Sequence, residues 1–376
     1  MAKHNCDHMV SGIETINSKI NTQRAESNKT DNALWAKETQ VLTNKGWTDK
    51  VQINDMVATY NFQTNKITFE PVTKRCARRG NQDELYYECT NVHAKLRALG
   101  GESIASKQKN SETEWVPIQI KNYANESVWS KVVVAGQMDF DGVDLDDNII
   151  EFLGLIFRYG LWNPETETLQ LSCVAGTDAE KNIEEHLQIC NCSFRKISYD
   201  GLTVGNRARK KCKYLIWICQ LTDKENLELY SKIIDYLDFE KCDLYHQFTY
   251  QQFQSFCSML SDTFKAKQYT CIKIRHIEKE RADKLQMMAT LRSHKVVLEL
   301  QDDGSYIVRI FSDNTSIIGS KGKDSGDKWK TALVEGRVFW KVETNGGGIV
   351  TRFNGCTMIM NGVQSIHTVG EKNGKQ

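Results

Sequence analysis

The hydrophobic and polar positions between residues 40 and 99 alternate in short runs. β-Branched and aromatic residues fill the segments QVLTNKGW, QINDMVATYN, KITFEPVTKR and ELYYECTNVHAKLRAL, and Asn, Gly and Asp separate the segments. Short alternating runs between such turn residues are typical of half-buried strands. This part of the chain is therefore predicted to be β-rich. The polar stretch from Gly100 to Glu114 is predicted to be a surface loop.

A helical period replaces this alternation in the middle of the chain. DDNIIEFLGLIFRYG, residues 146–160, places isoleucine and leucine on one broad face, as an amphipathic helix does. The pattern then predicts a strand at 168–174, a helix at 178–189, strands at 193–199 and 213–221, and a helix at 224–237. A similar series recurs with helices at 249–264 and 278–292 and strands at 269–275, 295–300 and 306–311. The recurrence predicts an internal repeat of about 100 residues, with two α/β halves about a pseudo-two-fold axis.

The β character of the first block returns after residue 328. ALVEGRVFWKVE, GGIVTRFNG and CTMIMNG again read as short strands. The predicted fold class is mixed β and α/β, with a β-rich domain interrupted by a pseudo-two-fold α/β domain. The predicted boundaries are an extension at 1–33, the β domain at 34–140 and 329–364, the inserted domain at 141–311 with repeats at 146–237 and 249–311, a linker at 312–328 and a polar tail at 365–376.

Charge and cysteine usage narrow the class of protein. Lys and Arg number 49 and Asp and Glu 48, a net charge of +1, which excludes a wholly basic nucleic-acid binder but permits a local basic face. The 12 cysteines are dispersed, and several lie in apolar runs such as YLIWICQL, which favours reduced cysteines of an intracellular protein. No secretory signal and no apolar run of about 18 residues is present, so we expect no membrane partner.

The order of the blocks resembles that of inteins, which have the Hint fold. Residues 36–72 resemble the N-terminal blocks of inteins, CTNVH provides Thr90 and His93 in the TxxH pattern, and residues 337–362 resemble the C-terminal blocks of phage-type inteins. FLGLIFRYG and FCSMLSDTF resemble the two LAGLIDADG helices of the homing endonuclease that such inteins carry. The resemblance covers about residues 34–362. It implies a Hint-like domain interrupted by a LAGLIDADG homing-endonuclease-like domain, and it makes a viral source plausible.

The positions aligned with the splicing nucleophiles hold residues that have no nucleophilic side chain. Splicing begins when a Cys or Ser side chain attacks the carbonyl before it, and the aligned residue here is Leu34. One intein class uses a cysteine in a late strand instead, and Trp340 stands there. The C-terminal step needs an Asn followed by a nucleophile, and the aligned pair is Gly362 and Val363. Thr90 and His93 remain, and we interpret them as structural remnants.

The pair of acidic residues expected for nuclease activity is also incomplete. LAGLIDADG enzymes place an acidic residue at the foot of each of two packed helices, and these carboxylates hold Mg²⁺ at the scissile phosphates. The aligned residues here are Tyr159 and Asp262. A phenol with a pKa near 10 cannot replace a carboxylate. The sequence thus predicts no catalytic site and no cofactor, with Mg²⁺ required only if residual nuclease activity centred on Asp262 persists.

Two basic clusters could contact nucleic acid. The first lies in GNRARKKCK and the second in the β domain, and their members are Arg207, Arg209, Lys210, Lys211 and Lys213, and Lys74, Arg75, Arg78 and Arg79. Clusters of this kind neutralise phosphates, although they are also common on solvated loops.

These observations favour a catalytically inactive protein that acts by binding. The two binding hypotheses are double-stranded DNA as a partner, or structural proteins in a virion or another large assembly. The chain starts with its own Met and carries no flanking host-protein halves to join, which agrees with a non-splicing role. The expected location is the host cytoplasm, or a virion. The enzymatic alternative is a residual Mg²⁺-dependent endonuclease or nickase of the LAGLIDADG type, and a third hypothesis is self-cleavage dependent on His93.

Overall fold

The computed structural model describes residues 34–90, 94–108, 115–124, 130–204, 209–238, 244–260, 271–318 and 329–361. The described residues form two compact units, which divide the chain at residues 136–137 and 314–315. We call residues 137–314 unit 2, and the remainder unit 1. The predicted mixed β and α/β class is confirmed, because strands dominate unit 1 and unit 2 combines helices with antiparallel sheets. None of the described helices is long and apolar enough to cross a membrane.

The first part of unit 1 is built almost wholly from strands. Its elements are β1 (Trp35–Ala36), β2 (Gln40–Thr43), β3 (Gly46–Thr48), β4 (Met56–Asn61), β5 (Lys66–Pro71), β6 (Lys74–Arg79), β7 (Leu85–Thr90), β8 (Lys95–Leu99), β9 (Ser103–Gln108), β10 (Val116–Gln119), the short helix α1 (Ile120–Tyr123) and β11 (Ser130–Val133).

Unit 2 follows with helices and strands in alternation. Its elements are α2 (Asp147–Tyr159), β12 (Gly160–Asn163), β13 (Thr168–Val174), α3 (Asp178–Ile189), β14 (Arg195–Val204), β15 (Arg209–Gln220), α4 (Leu227–Leu237), α5 (Tyr250–Ser258), β16 (Cys271–Ile277), α6 (Lys279–Thr290), β17 (Val296–Leu300) and β18 (Tyr306–Phe311). A short 3₁₀ helix, Leu244–Gln247, precedes α5. The helix–strand–strand order occurs in both halves.

Unit 1 then resumes with strands that complete its sheets. They are β19 (Thr315–Ile318), β20 (Trp329–Leu333), β21 (Val338–Glu343), β22 (Gly348–Phe353) and β23 (Cys356–Asn361). One sheet has the order β20-β7-β8-β1-β21-β6, and the other contains the path β23-β22-β2-β4-β5. Strands from the two parts of unit 1 are therefore neighbours, so the sheets of unit 1 are complete only when both parts are present.

Two segments predicted to be irregular contain strands. The predicted loop from Gly100 to Glu114 includes β9, and the predicted linker at 312–328 includes β19. Strand β9 is rich in polar residues and shows no alternation, but it pairs with β10 and with β11. Strand β19 pairs with β11, with Ser130 opposite Ile318. Backbone hydrogen bonds from neighbouring strands, rather than local side-chain pattern, stabilise both segments.

The core of unit 2 lies between its sheets and its helices. The sheet β12-β13-β15-β14 buries every second residue, such as Leu169, Leu171 and Trp217, against the helices. Strands β16, β18 and β17 bury Ile274, Val308 and other apolar residues in the same core cluster. Strand pleating sends the alternate residues to the opposite faces. The cysteines among the described residues are free thiols.

Candidate nucleic-acid interface

The two helices that resemble the LAGLIDADG pair pack against each other at Gly154. Asp146 caps the N-terminus of α2 through its carboxylate, which accepts from the Ile149 amide at 3.0 Å. At α5, Thr249 and Gln252 form a capping box. A Cβ atom at Gly154 would lie 2.5 Å from the backbone oxygen of Phe256. The two backbones therefore approach so closely that only glycine fits at this crossing.

The end of α2 has a phenol where the resemblance expects a carboxylate. Tyr159, at the aligned acidic position, is the last residue of α2 and is half-buried. The guanidinium of Arg158 lies 5.4 Å from the centroid of its ring. Arg281 donates to the carbonyls of Phe157 at 2.6 Å and Gly160 at 2.9 Å. The guanidinium groups of Arg158 and Arg281 make the end of α2 positively charged, which disfavours a divalent cation there. The second aligned residue, Asp262, lies outside the described residues.

The first predicted basic cluster belongs to a long antiparallel hairpin of β14 and β15, which we call the basic hairpin. Asp200 pairs with Lys213, and Val204 pairs with Arg209, so the two strands stay paired toward the turn. The two strands contain six basic residues and one acidic residue, Asp200. Lys211 and Lys213 are exposed. The backbones of Arg209 and Lys210 lie in β15, and Arg207 falls outside the described residues.

The second predicted basic cluster is held by partners within unit 1. Arg78 makes a bidentate pair with Glu84, at 2.8 and 2.7 Å. Arg75 lies over the ring of Trp340 at 5.8 Å, and the Lys74 ammonium lies 3.8 Å from the Glu343 carboxylate. Arg79 is exposed at the end of β6. The structure thus gives three of these residues a local role, and their contact with nucleic acid stays a prediction.

Two of the positions aligned with splicing residues, Leu34 and Trp340, lie in the core of unit 1. Leu34 is 1% exposed, and its carbonyl accepts from the Leu99 amide at 2.9 Å. Trp340 packs edge-on against Trp35, with ring centroids 5.7 Å apart. Thr90 ends β7 opposite Lys95. His93, Gly362 and Val363 lie outside the described residues. Large apolar side chains thus fill the described nucleophile positions.

A buried carboxyl group lies within hydrogen-bonding reach of Trp35. Glu102 is fully buried, and its carboxylate accepts from the Ser103 amide at 2.9 Å. Burial raises the pKa of Glu102 to about 7, although the fully buried ammonium of Lys341 and other nearby groups oppose that rise. Desolvation thus outweighs the nearby positive charge, and the folded protein holds a proton that the unfolded chain releases near its ordinary pKa.

We expect unit 1 to become less stable as the pH rises, because Glu102 then loses this proton. The pKa of Glu102 is higher in the folded protein than in the unfolded chain. The stability that its bound proton provides is therefore fully present below the unfolded pKa, and it is lost as the pH rises through about 7. From pH 5 to pH 8, the free energy of unfolding should fall by up to about 3 kcal/mol. Glu102→Gln, which stays neutral, should remove most of this slope in urea titrations.

An exposed carboxylate in the same unit provides the control. Glu38→Gln changes the same chemical group at the surface, and we expect it to leave the pH dependence as it is in the parent protein. Equal slopes for the parent protein and Glu102→Gln would show that Glu102 is already ionised in the folded state.

Comparison with known proteins gives weak structural likenesses. The sequence matches no protein-family model and no curated protein sequence. Fifteen solved chains are similar in structure. Full-length DUF199/WhiA from Thermatoga maritima has 13% identity and a TM-score of 0.28, over 44% of this chain and 51% of that chain. The chain thus matches about half the length of that protein.

Two further solved structures cover the same share of this chain. The N-terminal LAGLIDADG domain of DUF199/WhiA has 13% identity and a TM-score of 0.27, over 44% of this chain and 75% of that chain. A point variant of I-DmoI, in complex with its target DNA in the presence of magnesium, has 12% identity and a TM-score of 0.27, over 44% of this chain and 88% of that chain. Scores this low carry no argument about the activity of this chain.

The sequence patterns did not identify an aromatic pair within the basic hairpin. Tyr199 and Tyr214 face each other across β14 and β15, and Tyr199 is 50% exposed. The strand pattern of KISY and KYLI places each tyrosine on a strand, but the register that brings the two rings together is visible only in the structure.

Proposed function

We propose that this chain is a nucleic-acid-binding protein without splicing or nuclease activity. In this proposal, unit 2 is a LAGLIDADG-like domain inserted into a Hint-like unit 1. The Gly154 crossing and the helix–strand–strand order that occurs in each half support the assignment of unit 2. The division of unit 1 into two parts of the chain that share sheets supports the assignment of unit 1.

The basic hairpin is the observation that carries the binding proposal. Its two strands contain six basic residues and one acidic residue in a chain whose net charge is +1, and one of the six, Lys196, is paired with Glu180 and Glu184. A local excess of positive charge attracts a polyanion, whatever the charge of the whole protein. The exposed lysines Lys211 and Lys213 are available for phosphate contacts that release counterions.

The proposed loss of catalysis rests on the aligned positions. Leu34 and Trp340 supply no nucleophile in unit 1, and both are buried. The end of α2 carries the phenol of Tyr159 in place of a carboxylate, with the guanidinium of Arg158 over its ring, and this does not favour metal-dependent cleavage. In this proposal, the buried side chains at these positions contribute packing and no chemistry.

An electrophoretic mobility shift on random double-stranded DNA tests the proposal. We expect binding that weakens steeply with salt and leaves the DNA intact with or without Mg²⁺. The double variant Lys211→Glu, Lys213→Glu should weaken binding at least about tenfold, and the slope of log K against log salt should fall by up to about 2.

A matched variant distinguishes the effect of charge in the basic hairpin from the effect of the net charge of the whole protein. Lys181→Glu with Lys224→Glu reverses two exposed lysines of unit 2 outside the basic hairpin. We expect it to affect binding much less than the double change at residues 211 and 213. Failure to bind any nucleic acid at low salt would overturn the proposal and leave assembly with structural proteins as the alternative. Nicked DNA in the presence of Mg²⁺ would overturn the proposed loss of nuclease activity.

A further inference from the structure

Strand β21 carries a lysine that the fold buries completely. Lys341 lies in an interior strand of its sheet, between β1 and β6, and its side chain has no exposed surface. Moving an ammonium group out of water is costly, and the cost is recovered only when partners supply opposite charge and well-formed hydrogen bonds. The partners of this lysine therefore decide what its amine does in the folded protein.

A carboxylate on the same strand contacts the buried amine. Glu343 lies two residues along β21, on the same face of the sheet, and its Oε1 is 3.1 Å from Nζ of Lys341. The angles at this contact are not those of a hydrogen bond, and no group in the part of the chain that the structure describes hydrogen-bonds either atom. The ammonium thus gains opposite charge but lacks the hydrogen bonds that normally compensate for its burial.

The carboxyl group of Glu343 joins this buried amine to the surface of the protein. Its Oε1 is buried beside Lys341, whereas its Oε2 lies 3.8 Å from Nζ of Lys74, an exposed lysine. The Glu343 side chain as a whole is 20% exposed. A small molecule released from this carboxyl group therefore has a short way to solvent.

The buried acid Glu102 belongs to the same site. Lys341 and Glu343 both act on its charge, since the lysine favours the ionised form of Glu102 and Glu343 opposes it. The pKa of Glu102 is nevertheless raised to about 7, so this group holds a proton below neutral pH. An acid that holds its proton near the working pH is suited to proton transfer.

An amine and a carboxyl group in contact can condense to an amide. Transfer of one proton from the Lys341 ammonium to the Glu343 carboxylate gives the two neutral forms that react. Nζ then bonds to Cδ of Glu343, one Cδ–O bond breaks, and the oxygen leaves as water with a proton from Glu102, which regains a proton from Nζ. No oxidant, reductant or cofactor is consumed. The amide buries no charge, so burial favours the product over the ion pair.

We propose that Lys341 and Glu343 form an isopeptide bond between Nζ and Cδ in the folded protein, with Glu102 as the proton donor. This bond is a covalent modification of unit 1 and is independent of nucleic-acid binding. Three observations support it: the complete burial of the lysine, its contact with a carboxylate outside hydrogen-bond geometry, and a second acid in the same site.

Mass spectrometry of the purified full chain tests the proposal. We expect an intact mass that is lower than the mass of the sequence by one water molecule. Trypsin does not cleave after an acylated lysine, so residues 338–352 should appear as a single peptide that is also lighter by one water molecule. The Lys341→Met protein should have the full mass of its own sequence.

A second lysine–carboxylate pair provides an internal control in the same digest. Nζ of Lys295 lies 3.0 Å from Oδ2 of Asp313, but the Asp313 side chain is 55% exposed. Water stabilises that carboxylate in its ionised form, which an amine does not attack. Trypsin should therefore cleave after Lys295 while it leaves the bond after Lys341 intact.

Replacing Glu102 tests its role as the proton donor. Glutamine fills the same space but has no acidic proton, so Glu102→Gln should form the bond at least about tenfold more slowly, measured as the crosslinked fraction over time after purification. Circular dichroism confirms that this variant is folded. Formation as fast as in the parent protein would overturn the role of Glu102.

Two results would overturn the isopeptide bond itself. The first is a parent protein with the full mass of its sequence and normal tryptic cleavage after Lys341. The second is a loss of water that maps to another peptide, such as the one that contains the Asp200–Gly201 step, together with cleavage after Lys341. Both results are read on the parent protein, so they do not depend on whether a variant folds.

Discussion

Replacing Gly154 with leucine should destabilise unit 2 by about 3 kcal/mol or more. A Cβ atom at this position would lie 2.5 Å from the backbone oxygen of Phe256 and 3.1 Å from Cβ of Met259. Because the nearest atom belongs to a helix backbone, α2 and α5 must move apart as whole elements, and the apolar contacts around the crossing are lost. Urea unfolding followed by hydrogen exchange of α2 and α5 measures the effect in unit 2.

A graded series of substitutions distinguishes this close approach from a general effect of replacing glycine. Alanine adds only the Cβ atom, so Gly154→Ala should cost less than Gly154→Leu but should still destabilise, although alanine is the better helix former. The glycine of the turn between β17 and β18, Gly304, has open space around it and a φ of 82°. Gly304→Ala should therefore cost about 1 kcal/mol through backbone strain alone. A stabilising Gly154→Ala would show that the helices are not in close contact.

Replacing Arg292 with methionine should also cost about 3 kcal/mol. This arginine is 1% exposed and donates to the carbonyl oxygens of Met288 at 2.8 Å, His246 at 2.9 Å and Phe248 at 3.0 Å from Nε. Its guanidinium also lies 4.4 Å from the ring centroid of Phe140. Methionine fills a similar volume but donates no hydrogen bond, so buried carbonyls lose their partner. Chemical denaturation of the full chain measures the loss.

An exposed arginine of the same unit is the matched control. Arg275 stands in solvent on β16, and Arg275→Met should change the stability by no more than about 0.5 kcal/mol. Arg292→Lys should fall between the parent protein and Arg292→Met, because it keeps a charge and a donor but cannot reach three carbonyls at once. An Arg292→Met protein as stable as the parent would mean that water or a shifted backbone satisfies those carbonyls.

The strongly periodic elements of unit 2 could be predicted from the sequence. Residues 146–160 and 178–189 were expected to be helices, and α2 and α3 occupy 147–159 and 178–189. Their apolar period sets which face is buried, and the capping residue Asp146 sets where α2 begins. The Asp-Gly turn at QDDGS likewise joins β17 and β18, with Gly304 in the left-handed region.

Strands without a side-chain pattern could not be predicted in this way. Strand β9 lies in a polar stretch, and β15 begins at Arg209, four residues before the predicted strand. Partners elsewhere in the chain provide the hydrogen bonds that fix both strands, namely β10 and β11 for β9 and β14 for β15. Pairing between distant segments carries no local signal, so sequence periodicity cannot detect it.

The sequence by itself determined which positions of this protein lack a nucleophile and which carry positive charge. Leucine at 34 and tryptophan at 340 lack a nucleophile in any fold, and the basic run around Lys211 carries its charge wherever it lies. Only the tertiary structure decided which of these groups are available. It pairs Arg78 with Glu84, leaves Lys211 in solvent and brings Tyr199 against Tyr214. The reason is that charge and nucleophilicity belong to a residue, whereas exposure, pairing and stacking depend on neighbours that strand register and helix packing bring together.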